Sequence, residues 1–294
     1  RLAPMVYDSR HKLSGRVVAD DGRELSIDVF EPADPPTAKA VIVPAMATPA
    51  SYYHGFAEWL SQRAFRAVTF DYRDTDSPQA MKASSVDIDR WAADVTAVVA
   101  HASADGLPVT WIGHSLGGQI LALADHTKLD RVVTVASGNG YWRYNAGLVR
   151  WATPLMWAVV APVTIRLFGY YAGSKIRVVG DVPAGAMRQW SRWCRHPNYL
   201  EADHPDRADR CAALTAPVLA LSFTDDELLA KESVDSLHRW FTGTVVERRH
   251  LSPADLGVQR MGHHGFFRRR HAHLWDRIVL PFLQRDRREP SATT

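Results

Sequence analysis

Cysteine is nearly absent. The 294 residues contain only two, Cys194 and Cys211, too few for a disulfide framework in a chain long enough to bury a full core without one. We read both as free thiols, which suits a reducing compartment and points to the cytoplasm. Together with His196 and His204 they match no zinc-ligand spacing, so no metal is expected. A P-loop and a dinucleotide fingerprint are also missing, and no cofactor is expected. Charge of one sign is scarce as well: 35 Lys and Arg against 32 Asp and Glu leave a net +3. The basic residues gather mainly in Arg268-Arg269-Arg270 and Arg285-Asp286-Arg287-Arg288, read as a solvated helix face and a tail rather than a nucleic-acid surface. The chain opens Arg1-Leu2-Ala3-Pro4, and no basic, apolar, small-residue leader is read there. The most apolar stretch, 151–168, is interrupted by Pro154, Pro162 and Arg166. It is expected to be a poor membrane span, though an acceptable greasy lid or interfacial surface.

What the chain does have is alternation. Residues 16–20 and 24–30, joined by Asp21-Gly22, read as a β-hairpin, followed by a Pro-rich loop at 32–36. Continuous apolar runs predict buried strands at 40–44, 66–71, 108–112, 131–136 and 217–223, with a further strand at 244–249. Between them, helices are predicted at 55–62, at 86–102 capped by Ser85, at 119–124, at 230–241 and finally at 271–284. Strands alternating with helices imply an α/β fold with a mostly parallel sheet covered on both faces.

From residue 138 to about 209 the alternation stops. This segment holds Trp142, Trp151, Trp157, Trp190 and Trp193, half of the ten tryptophans, together with Tyr141, Tyr144, Tyr170, Tyr171 and Tyr199. Aromatic side chains serve either as core or as the wall of an apolar site. An insertion at this point lies over the carboxyl ends of the strands, so we expect a mainly helical cap at 138–209 between two core segments, 1–137 and 210–294. Its inner face is expected to line an apolar pocket, with Tyr141, Trp142, Trp157 and Trp190 as candidate substrate-binding residues.

One motif sits where chemistry is expected. Gly113-His114-Ser115-Leu116-Gly117-Gly118 joins a predicted strand to a predicted helix, the context of a G-x-S-x-G nucleophile elbow, where small neighbours let strand and helix approach. A serine hydroxyl needs an adjacent base, and the base needs a third group to fix its tautomer. Asp225 and Asp226 follow the apolar strand ending at Phe223, and His263 and His264 come after the next strand. The order Ser, Asp, His is that of neither the chymotrypsin nor the subtilisin arrangement. Leu116, at the start of the elbow helix, offers an N–H to a developing oxyanion. His11, His54, His101, His250, His271 and His273 are read as surface or packing residues.

On the elbow, the strand-then-acid segment 218–227 and Gly262-His263, the chain resembles the α/β-hydrolase fold family over nearly its whole length. Phe70-Asp71-Tyr72-Arg73 is similar to the family's segment after the fourth strand, and residues 262–267 to a stretch in a bacterial branch of predicted, uncharacterised hydrolases. The resemblance implies Ser115 as nucleophile, Asp226 rather than Asp225 as acid and His263 rather than His264 as base. By position it also implies Met46 as the second oxyanion donor. Two departures stand out: Pro44-Ala45-Met46-Ala47 lacks the family's frequent His-Gly, and Asp74 and Asp76 replace common glycines.

The function expected is a serine hydrolase, esterase-like or thioesterase-like, acting through an acyl-enzyme on a small to medium hydrophobic acyl substrate. The alternative is a non-hydrolytic enzyme of the same fold, a lyase, cyclase or acyltransferase tailoring a natural product beneath the aromatic cap. A catalytically silent ligand receptor is the third reading. Neither nucleic acid nor a stable membrane span figures among the expected partners.

Overall fold

The computed structural model describes residues 12–176 and 179–285; His11 and residues 286–288 of the second basic run lie outside them. Eight strands form one sheet in the order β1-β2-β4-β3-β5-β6-β7-β8. The hairpin β1 (Lys12–Val18) and β2 (Glu24–Phe30) pairs antiparallel, and β2 meets β4 (Phe65–Phe70) antiparallel. From β4 onward all neighbours are parallel: β3 (Ala38–Val43), β5 (Val109–His114), β6 (Arg131–Val135), β7 (Val218–Phe223) and β8 (Val246–Leu251).

The apolar runs reflect burial on both faces. Along β3, Val41 and Val43 join the layer packed under α3 (Ile88–Ala102), while Ala40 and Ile42 face the layer built with α1 (His54–Ser61) and the C-terminal helical turns. Successive side chains of a strand point to opposite faces, so a run without polar residues is what a doubly covered strand requires.

Several boundaries depart from expectation. A short helix α2 (Pro78–Ala83), capped by Ser77, precedes α3 and was not anticipated. Asp87, not Ser85, caps α3, its carboxylate accepting the Arg90 N–H at 2.9 Å. After the elbow the helix is brief: α4 (Leu116–Gln119) tightens at once into a 3₁₀ turn, Ile120–Leu123.

Between β6 and β7 lie α5 (Val149–Leu155), a π turn (Met156–Val160), α6 (Ala161–Phe168), α7 (Gly173–Ile176), α8 (Ala184–Arg195) and α9 (Arg207–Ala212). Here the prolines do not interrupt the apolar stretch: residues 149–168 form one helix. Pro162 would clash with the carbonyl four residues back, and the π turn ending two residues before it opens the spiral at that point. The same solution recurs near the C-terminus, where a π turn (Trp275–Val279) ends two residues before Pro281. α10 (Lys231–His238) follows β7.

Candidate active site

Ser115 stands between β5 and α4 with φ 51° and ψ −112°, a backbone conformation that an L-residue holds only when its surroundings enforce it. They do. The Ser115 amide donates to Val135 O of β6 at 3.0 Å, and Trp111 of β5 reaches forward so that its Nε1–H donates to Gly117 O at 2.9 Å. A Cβ on Gly117 would fall inside the Val43 carbonyl, and one on Gly118 against Ser137 Oγ. The two glycines therefore let α4 sit directly on the ends of β3 and β6.

The loop after β8 delivers the imidazole. Gly262 takes φ +61° and turns the chain so that His263 Nε2 lies 3.0 Å from Ser115 Oγ, while Nδ1 lies 2.9 Å from Asp226 Oδ2. Asp226 Oδ1 also accepts the Leu228 and Leu229 amides at 2.8 and 3.0 Å. An ionised carboxylate so placed can only accept, so the Nδ1 proton belongs to His263 and its Nε2 lone pair faces the serine hydroxyl. His263 and Asp226 are almost wholly buried, whereas Ser115 is half-exposed.

The neighbouring acids hold this loop in place. Asp225 Oδ2 accepts the Met261 amide at 2.8 Å, and Glu227 Oε2 accepts the His263 amide at 3.1 Å. Asp225, the alternative to Asp226 as acid in the sequence, thus fastens the loop that carries the base. His264 packs edge-on against Tyr52, His114 and His263, and burial lowers its pKa to about 4. It occupies an aromatic slot.

A second network, not anticipated from the sequence, links the elbow to the loop after β3. Fully buried His114 lies with Nε2 3.0 Å from the His263 carbonyl and Nδ1 2.8 Å from the Tyr53 hydroxyl. A carbonyl accepts only, so Nε2 carries the proton and Nδ1 accepts from Tyr53 O–H. Burial holds the His114 pKa well below the ordinary histidine value, in keeping with a neutral ring. The Tyr53 oxygen in turn accepts the Ala45 amide at 2.9 Å, while Tyr72 O–H donates to Pro44 O at 2.8 Å. Pro44 C=O and Ala45 N–H belong to one peptide unit, which is therefore gripped on both edges. The next peptide carries the Met46 N–H, and among the described residues that amide donates to no backbone carbonyl. The Leu116 N–H, first in its helix, has no intrahelical acceptor.

The aromatic residues between β6 and β7 divide. Trp193 and Tyr199 are fully buried and Trp157 nearly so, within the same core layer as α3. Tyr199 O–H donates to Gln119 of α4 at 2.6 Å and accepts Trp190 Nε1–H at 3.0 Å, and Trp157 meets Trp190 edge-on at 5.0 Å between centroids. Tyr141 and Trp142 pack on each other. The chain just after them is stitched to the acid loop, Ala146 N donating to Leu228 O and Ala230 N to Tyr144 O. A cavity of about 780 Å³ between the 149–168 helix and α8 is lined by Trp157, Ala161, Ile165 and Met187 together with Arg166, Arg188, Arg192 and Arg195; Ser115 is not among its lining residues. Aromatic side chains here mainly knit the helices to α4, which leaves less of their surface free. Asp74 takes φ 60° and binds Arg23 at 2.8 Å and Ser84 Oγ at 2.7 Å. It anchors its loop to the hairpin.

A parallel sheet, a strained serine at the carboxyl end of its central strand, and an imidazole and a carboxylate from later loops define a class of proteins. The profile of a family described as serine aminopeptidase, S33, matches residues 34–174. Solved structures similar to this chain include an esterase, EaEST, from Exiguobacterium antarcticum, with 16% identity, a TM-score of 0.61 and coverage of 92% of this chain and 100% of that one. Another is the Pyrococcus furiosus esterase Pf2001, at 14% identity and TM-score 0.60, covering 94% and 91%. A third, Est816, is described as an N-acyl homoserine lactone degrading enzyme, at 16% identity and TM-score 0.58, covering 91% and 100%. No curated protein matches the sequence. The chain has the α/β-hydrolase fold.

Proposed function

We propose that the protein is a serine hydrolase, esterase-like or thioesterase-like, that cleaves a hydrophobic acyl substrate. The single observation carrying this reading is the continuous line from Ser115 Oγ through His263 to Asp226, with hydrogen-bond distances of 3.0 and 2.9 Å. Ser115 attacks the carbonyl carbon as His263 Nε2 takes its proton, and Asp226 stabilises the imidazolium that forms. The Met46 and Leu116 amides take the oxyanion of the tetrahedral intermediate, each such donor being worth roughly 2.7–4 kcal/mol of barrier in enzymes of this kind. His263 then passes the proton to the leaving group, the acyl-enzyme forms, and water reverses the sequence. Tyr141 and Trp142, partly exposed beside the acid loop, are the aromatic surfaces assigned to the acyl chain. The likeness to esterases supports the reaction class.

Turnover of p-nitrophenyl esters of graded chain length tests the reading, with Ser115→Ala as control. Hydrolysis with a chain-length optimum, lost in the variant, is the expected result. Full turnover by Ser115→Ala would overturn it. Incorporation of label from isotopic water into the acid product separates hydrolysis from elimination or cyclisation.

A further inference from the structure

We propose that the helix at 149–168 is a docking surface that lays the protein flat on an anionic lipid bilayer. Leu148, Trp151, Leu155, Val159, Val163 and Leu167 recur at spacings of three or four residues, and each is between 47 and 85% exposed. On a helix that spacing makes one unbroken stripe, here about 30 Å long. A continuous apolar stripe of this length on the outside of a folded chain marks an interaction site.

Charge identifies the partner. Residues 141–200 hold eight Lys and Arg against one Asp, a net +7, so the remainder of the chain is net −4. Arg150 and Arg166 flank the stripe on the helix itself, and Arg188, Arg192 and Arg195 of α8 line the cavity beside it. Arg192 is paired with Asp203 at 2.8 Å, whereas Arg166 and Arg188 make no ion pair among the described residues. An apolar stripe edged by unpaired guanidinium groups matches acyl chains beneath a layer of lipid phosphates, and it suits neither a neutral surface nor a second copy carrying the same positive charge.

The helix docks and does not cross. By length and composition alone Val149–Phe168 would pass for a membrane span. Its inner side, however, is committed: Thr153, Trp157, Ala161, Thr164 and Ile165 are buried. Trp157 is further held by Trp190, whose Nε1–H is tied through Tyr199 to α4. Bound this way, the helix would place the α4 end of the sheet next to a bilayer, where apolar acyl groups are concentrated.

Co-sedimentation of the full chain with phosphatidylcholine vesicles, with and without phosphatidylglycerol, at low and high salt, tests the proposal without requiring turnover. Its failure is thus distinct from failure of the hydrolase reading. Binding is expected to be strongest on phosphatidylglycerol at low salt. The exposed triple variant Leu155→Ser, Val159→Ser, Leu167→Ser should bind both vesicle types at least about tenfold more weakly. Arg166→Glu with Arg188→Glu should lose affinity chiefly for the anionic vesicles, by about fivefold or more per residue. Short-chain ester hydrolysis should be unchanged in both. Wild-type protein left in the supernatant, or variants that bind like wild type, would overturn the proposal. So would light scattering that shows a wild-type dimer converted to monomer by the triple variant, since a second copy would then cover the stripe.

Discussion

Tyr53→Phe removes one oxygen and is predicted to impair both stability and catalysis. That oxygen accepts the Ala45 amide and donates to His114 Nδ1, at 2.9 and 2.8 Å, inside a fully buried site. Phenylalanine fits the same space, so little packing is lost. The cost comes from a buried amide without an acceptor, about 1–3 kcal/mol, and from an imidazole nitrogen without its donor, about 1 kcal/mol more. Unfolding free energy should therefore fall by roughly 2–4 kcal/mol in urea titration. The catalytic effect follows from geometry: with one edge of the Pro44–Ala45 peptide released, the Met46 N–H no longer has a fixed direction. In the proposed role of oxyanion donor its full loss would cost roughly 2.7–4 kcal/mol, so partial loss should lower kcat by about ten- to a hundredfold, with KM changed much less. Tyr72→Phe releases the other edge and should act in the same direction but more weakly, because a carbonyl tolerates a missing donor better than an amide tolerates a missing acceptor. As both act on one peptide, the double variant should be non-additive in kcat by at least about 0.5 kcal/mol. If both single variants lost stability yet kept wild-type kcat, the clamp would be structural only and the reasoning would be refuted.

Further outcomes are expected. Asp226→Asn should lower kcat by about 10³–10⁴-fold, by analogy with serine proteases in which the same change stabilises the wrong tautomer. Asp225→Asn keeps an oxygen for the Met261 amide and should cost less than about tenfold by leaving that bond in place; equal losses in the two variants would contradict the assignment. His238 is fully buried against Val234 O and Thr134, and burial lowers its pKa from 6.5 to about 4. The unfolded chain binds this proton below pH 6.5 and the folded chain does not until about pH 4. The contribution is therefore complete above 6.5 and is lost as pH falls, to a total of about 3 kcal/mol. Urea midpoints measured from pH 7 to 4 should show a shallower slope in His238→Gln, and identical slopes would exclude the linkage.

Most of the sheet is legible in the sequence because buried parallel strands are apolar on both faces, as at 40–43 and 218–223, and so cannot be mistaken for amphipathic elements. The positions of Ser115 and Asp226 are legible for a related reason, since each sits just beyond a recognisable strand; His263 is legible instead from the glycine before it, on the long loop after β8. The peptide clamp is not. Tyr53 and Tyr72 look like any aromatic residues near a helix or a strand, and their targets are main-chain atoms brought close only by the folded sheet. Residue propensity also misjudges Pro154 and Pro162, which read as breaks. A π turn placed before Pro162 preserves the helix, and that adjustment belongs to main-chain geometry rather than to composition. The aromatic residues at 138–209 are ambiguous for a third reason. Trp157 and Trp151 are alike in sequence context, yet one is buried against Trp190 and the other faces outward.

Peptide mapping after exposure to a fluorophosphonate tests the central claim most directly. Phosphonylation on the peptide containing Ser115 in the wild type, and its loss in both Ser115→Ala and His263→Ala, is the predicted result. An unmodified Ser115 in a protein that still turns over esters, or labelling that persists without His263, would contradict it.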